Sequence, residues 1–137
     1  MRPRERVFVD TGAFVALAVV RDAYHPRAVE YWEKLSRHGA RIVTSVPVVL
    51  ETYTYLDRKG SRELADVWRV ELANVRPLVL SCSADDLKAA WAWLERKELR
   101  RLSLVDATSF ALMTKHELAV AFTFDTHFAI AGFRCEA

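Results

Sequence analysis

Four carboxylates stand where a charge needs an explanation: Asp10, Glu51, Asp106 and Asp125. Asp10 closes the apolar run "VFVD", and Asp125 follows another in "AVAFTFD". Glu51 lies in "TSVPVVLETYTYL" and Asp106 in "LSLVDATSFALM", segments apolar enough to be buried as helices. If the four converge they repel, since two unit charges about 4 Å apart cost roughly 4 kcal/mol at an effective dielectric near 20. A cluster of this kind takes up protons or binds cations. Oxygen ligands with no Cys or His among them select Mg²⁺ or Mn²⁺ over zinc. A divalent ion so held engages phosphates, which points to phosphodiester hydrolysis.

Each acid also has a plainer reading. Asp106 stands three residues after Ser103, the spacing of a capping box. Asp10 could cap a helix starting near Gly12, and Asp125 could form a turn with Thr126. Glu51 is hardest to explain structurally, because a mid-helix acid beside Val48, Val49, Leu50 and Tyr53 needs a partner or an exposed face. Asp22, in "RDAYHPRA", reads as an N-terminal cap or as a peripheral metal or substrate ligand. Thr11 and Thr123 supply hydroxyls that can orient an acid or a water, or satisfy the core. His25, His38, His116 and His127 show no metal-ligand spacing and read as surface or packing groups.

Short β-branched runs at Val7–Val9, Arg41–Thr44, Pro77–Leu80 and Val120–Phe124, with a last one around Phe133–Cys135, are the candidate strands. Helical period marks Tyr24–Arg37 and Ala84–Glu98, and Ser45, Ser61 and Ser83 are start signals. Strands alternating with helices, each strand almost continuously apolar, indicate an α/β domain with a central, mainly parallel sheet flanked by helices. Ligands of such sheets gather at the carboxyl ends of the strands, the edge where Asp10 and Asp125 fall. The helices exclude the protease reading of "DTGA", which belongs to a nearly all-strand fold with paired Asp-Thr-Gly loops. A dehalogenase-type phosphatase needs a second Asp where Gly12 stands.

The 137 residues fit one domain, 1–137, and half are apolar. No run is long enough to span a bilayer and no signal-peptide layout precedes the first strand, so a cytoplasmic location is expected. Cys82 and Cys135 belong to no metal-binding pattern and read as reduced thiols. A net charge of +2 does not prove a nucleic-acid partner, yet Arg58, Lys59 and Arg62, and Lys97, Arg100 and Arg101, could rim a phosphate-binding surface.

The chain resembles the PIN-domain ribonucleases, and most closely the VapC-type toxins of prokaryotic toxin-antitoxin pairs. The resemblance runs almost end to end through "FVDTGAFVAL", the Asp22, His25 and Ala28 pattern, the stretch leading to Glu51, "LSLVDATSFALM" and "TFDTHFAIAGF". It implies a PIN-like three-layer α/β/α domain over 1–137. It also implies Asp10, Glu51 and Asp106 as core acids around one or two Mg²⁺ or Mn²⁺ ions, with Asp125 as a more variable fourth. Thr11 and Thr123 match its supporting hydroxyls. The implied activity is metal-dependent endonucleolytic cleavage of RNA. The implied partners are an RNA substrate, a second copy in a homodimer and a small antitoxin. The "GAF" after Asp-Thr departs from the family's commoner small-polar or aliphatic residues. A housekeeping RNA-processing nuclease, or a PIN-like module that binds RNA or protein without cutting, are the alternatives.

Overall fold

The computed structural model describes residues 4–137. Five strands, β1 (Arg6–Val9), β2 (Arg41–Ser45), β3 (Leu78–Leu80), β4 (Val120–Phe122) and β5 (Arg134–Cys135), form one sheet in the order β3-β2-β1-β4-β5. Every pairing is parallel, with Phe8 opposite Val43 on one side and Ala121 on the other. Consecutive residues of a strand face opposite sides of a sheet, and Val7, Phe8 and Val9 are all fully buried. Both faces of the centre are therefore covered, giving the α/β/α layering expected of near-continuous apolar strands.

Among the described residues seven helices do the covering: α1 (Thr11–Ala18), α2 (His25–Arg37), α3 (Val46–Tyr55), α4 (Arg62–Val75), α5 (Ala84–Leu94), α6 (Leu104–Lys115) and α7 (Thr126–Ile130). Side-chain caps start most of them. Ser45, Ser61, Ser83 and Ser103 each accept the backbone N–H three residues on, as does Asp10 for α1. A wide π-type turn, Leu56–Gly60, prolongs α3 and ends at the Ser61 cap.

Two segments end sooner than the pattern suggests. The helix read as Ala84–Glu98 stops at Leu94, and successive turns then put Leu99 and Leu102 into the core, which a continued helix could not do for both. Strand β4 ends at Phe122 rather than Phe124, so Thr123 and Phe124 leave the sheet and turn across its carboxyl edge.

The sheet order places the reversal of chain direction between β1 and β4, because the chain moves from β1 outward to β2 and β3 and then returns to the far side of β1. The crevice at such a switch point is where open α/β sheets bind ligands. Asp10 and Asp125 lie there.

Candidate metal centre

Asp10 follows β1 directly, and its main-chain N–H donates to Phe122 O on β4 at 3.2 Å, fixing it between the two strands. The residue is 4% exposed. One carboxylate oxygen accepts the Ala13 N–H at 2.9 Å and the other accepts the Thr123 hydroxyl at 2.6 Å. Thr123 also accepts the Asp125 N–H at 3.0 Å, so a single hydroxyl ties the first acid to the last. Burial raises the Asp10 carboxyl to about 6; the two hydrogen bonds oppose that rise, and the charges of Asp125 and Glu51 add to it.

Asp106 enters from α6. The Ser103 hydroxyl accepts its N–H at 3.0 Å. No return bond from the carboxylate closes the box, so that group is left to face the other acids. Burial pushes Asp106 far above the usual carboxylate range, reinforced by the charge of Asp10, a hydrogen bond with Asp125 and the charge of Glu51. Glu51 arrives from α3, half-buried, in the wall of a groove of about 600 Å³ that also holds Pro47, Leu50, Arg58, Lys59 and Val105.

The acids named from sequence thus meet electrostatically at one strand edge, but not in a uniform shell. Among the described residues, a group that could hold a metal ion is Asp106, Asp125 and His127, whose ligand atoms all lie within 4.8 Å of one another. Sequence reasoning assigned His127 to surface or packing. Its backbone N–H donates to Asp125 at 2.9 Å. The ring Nδ1 lies 2.8 Å from the same oxygen, close enough for an ion pair but without hydrogen-bond alignment. Its Nε2 meets Arg100 O at 2.9 Å. The only signal was its place two residues after Asp125, which is not a ligand interval within one element. Asp22 stays outside the group, with its side chain accepting the Tyr24 N–H at 2.8 Å, a turn cap.

Among the described residues, no Lys or Arg pairs with Asp10, Glu51, Asp106 or Asp125. The buried Thr11 hydroxyl beside Asp10 is also without a partner. Carboxylates with no Lys or Arg partner, an adjoining imidazole and an orphaned hydroxyl fit a divalent cation. Cys82 and Cys135 are free, and burial raises both thiols, so neither is primed as a nucleophile.

The description of the PIN domain matches residues 7–134. The chain belongs to the PIN-domain family. This PIN domain is 38% identical over 128 residues to the 23S rRNA-specific endonuclease VapC20 of Mycobacterium tuberculosis, covering 93% of this chain and 95% of that protein. It superimposes on the crystal structure of VapC20, described as a Sarcin-Ricin loop cleaving toxin, with a TM-score of 0.83 at 35% identity, over 93% of this chain and 95% of that one. VapBC2 from Rickettsia felis, bound to a DNA fragment from its promoter, shares the fold with a TM-score of 0.70 at 14% identity, over 96% and 97% of the two chains. The recognition of a VapC-like PIN domain and of an α/β sheet is borne out. No helix among the described residues is long and apolar enough to cross a membrane.

Proposed function

We propose that this PIN domain is a metal-dependent endoribonuclease that hydrolyses RNA phosphodiester bonds as the toxin of a type II toxin-antitoxin pair. The observation that carries the reading is the meeting of carboxylates without a Lys or Arg partner at the switch point between β1 and β4. Likeness to a 23S rRNA-specific endonuclease along nearly its whole length supports RNA as the substrate class.

Asp10, Asp106 and Asp125 would hold one or two Mg²⁺ or Mn²⁺ ions, with Glu51 sharing the ligation or orienting the attacking water. A bound ion stabilises charge on the phosphoryl oxygens and makes water a better nucleophile near neutral pH. The chain's own residues supply the geometry. Thr123 and the Ala13 N–H clamp Asp10 in one rotamer, and Ser103 fixes the first turn of α6 so that Asp106 points at the strand edge. Thr11 is placed to hold a water. His127 is a further group of the site that meets the 96–101 turn at Arg100 O; Lys97, Arg100 and Arg101 are that turn's basic residues. Arg58 and Lys59 line the same groove as Glu51 and would meet backbone phosphates. Arg62 is committed to Asp57 at 2.8 Å and is no longer a candidate for that role. The working form in this reading is a cytoplasmic homodimer restrained by a co-encoded antitoxin.

The test is cleavage of a mixed RNA substrate by purified protein with Mg²⁺, with Mn²⁺ and with chelator, beside Asp10→Asn prepared identically. Metal-dependent cutting that falls at least a hundredfold in the variant, on the order of one lost transition-state contact, supports the reading. Equal cutting by both proteins identifies a contaminant. Absence of cutting on every RNA tested favours a binding module.

A further inference from the structure

Phe124 lies between two groups of the acidic site, Thr123 and Asp125, on the segment that leaves β4. Its ring stacks on Tyr24 with centroids 4.5 Å apart and planes 7° from parallel. The Arg27 guanidinium sits 5.2 Å from the Phe124 centroid and 5.6 Å from that of Tyr24. Buried aromatic pairs elsewhere in the molecule, such as Tyr31 with Phe122 and Phe110 with Phe128, meet edge to face. The Tyr24 pair differs in being parallel and in lying at the surface. Phe124 covers one face of the Tyr24 ring, and the residue is still 44% exposed.

The turn that carries Tyr24 is held from both sides. Asp22 receives the Tyr24 N–H on its carboxylate at 2.8 Å and the His25 N–H on its carbonyl at 3.0 Å, while its own N–H donates to Val19 O at 3.0 Å. His25 Nδ1 then anchors on Ala16 O at 2.7 Å, tying the turn back to α1. A partly exposed aromatic ring held this firmly loses little entropy when something stacks on it. A cation lies beside it, and Asp125 of the carboxylate site follows its stacking partner Phe124 in the chain.

We propose that Tyr24, backed by Phe124 and flanked by Arg27, is the platform on which an unpaired base of the substrate RNA stacks beside the carboxylate site. This rests on the ribonuclease reading above and adds to it a base-holding residue. Aromatic faces accept any base, so the platform orients the strand without dictating sequence. Asp22 and His25 act through Tyr24 as positioning residues.

The test compares binding of a fluorescein-labelled single-stranded oligoribonucleotide of mixed sequence with binding of an abasic chain of the same length. Full-length Asp10→Asn protein, with and without Tyr24→Ala, Tyr24→Phe or Tyr24→Trp, is titrated against each at low salt. Tyr24→Ala is expected to weaken the base-bearing chain about tenfold and leave the abasic chain unchanged, whereas Phe and Trp retain the preference for bases. A merely structural Tyr24 would move both chains alike. Equal loss on both chains, or no preference for bases when Tyr24 is intact, overturns the platform. Wild-type cleavage of RNA, measured separately, keeps the two claims apart: a protein that cuts but shows either overturning result retains the nuclease and loses the platform. A protein that prefers bases through Tyr24 but cuts nothing does the reverse.

Discussion

Ser83 and Ser103 each begin a helix and each stand three residues before an aspartate, yet the two aspartates end differently. Asp86 closes its box, accepting the Ser83 N–H at 2.9 Å and the Lys115 ammonium at 3.1 Å, and those contacts hold its carboxyl below the usual range. Asp106 leaves its box half open and faces Asp10 and Asp125, which hold it above that range together with burial. The same sequence spacing thus serves a cap in one helix and a site in the other, and only the neighbours brought by folding separate them. Asp86→Ala should lower stability by about 1 kcal/mol, the usual cost of a lost cap contact. Asp106→Asn should abolish metal-dependent cleavage while raising the melting temperature of the metal-free protein at pH 8, because it removes a repelled charge. Thermal melts of both variants in chelator at pH 8 read the contrast.

The pH dependence of Asp10 is of the same origin. Its folded pKa, about 6, lies above the ordinary 3.8, so the folded state holds a proton the unfolded chain has released. The stability this proton supplies is complete below about pH 4 and is lost as pH rises through about 6, by roughly 3 kcal/mol in the metal-free protein. Asp106 shifts in the same direction and extends the loss to higher pH. Unfolding in chelator at pH 5 and pH 8 should therefore show the greater stability at pH 5 from this source, with added Mn²⁺ stabilising more at pH 8. Among the site residues, the acids were legible because a charge at the end of an apolar run is conspicuous. His127 was not, because its role arises from a tertiary bond to the 96–101 turn.

Among the elements, helix ends show how local sequence and backbone geometry interact. Helix α2 ends with Gly39 at φ 65°, and Ala40 N–H returns to Leu35 O at 3.0 Å. Helix α6 ends by the same motif, with Leu118 N–H on Met113 O at 2.8 Å, but places Glu117 at φ 55° where a side chain is disfavoured. Glu117→Gly should stabilise the protein by up to about 1 kcal/mol, measured by denaturant unfolding, and Gly39→Ala should destabilise it by a similar amount. A Glu117→Gly variant less stable than the parent contradicts this account of the α6 end. The strands were readable because runs such as Val7–Val9 have no polar residue to spare for a solvent face. The end of α5 was not, since Leu87, Ala90, Trp91 and Leu94 keep helical period, and the demand that stops it comes from burying Leu99 and Leu102.

On the scale of the whole molecule, the strand order decides the function more than any motif does. Sequence order alone puts Asp10 and Asp125 at opposite ends of the chain, and the return of β4 to the side of β1 makes them neighbours across one hydroxyl. That pairing is non-local and leaves no trace in periodicity. In the proposed nuclease, Asp10 and Asp106 belong to one divalent-metal site. Titration of Mn²⁺ into metal-free protein at pH 8, followed by the electron paramagnetic resonance of free Mn²⁺, tests it most directly. Saturable binding by the wild-type protein, weakened at least tenfold in both Asp10→Asn and Asp106→Asn while Asp86→Ala binds normally, is the predicted result. Binding that is absent from the wild type, or that persists undiminished in both site variants, would contradict it.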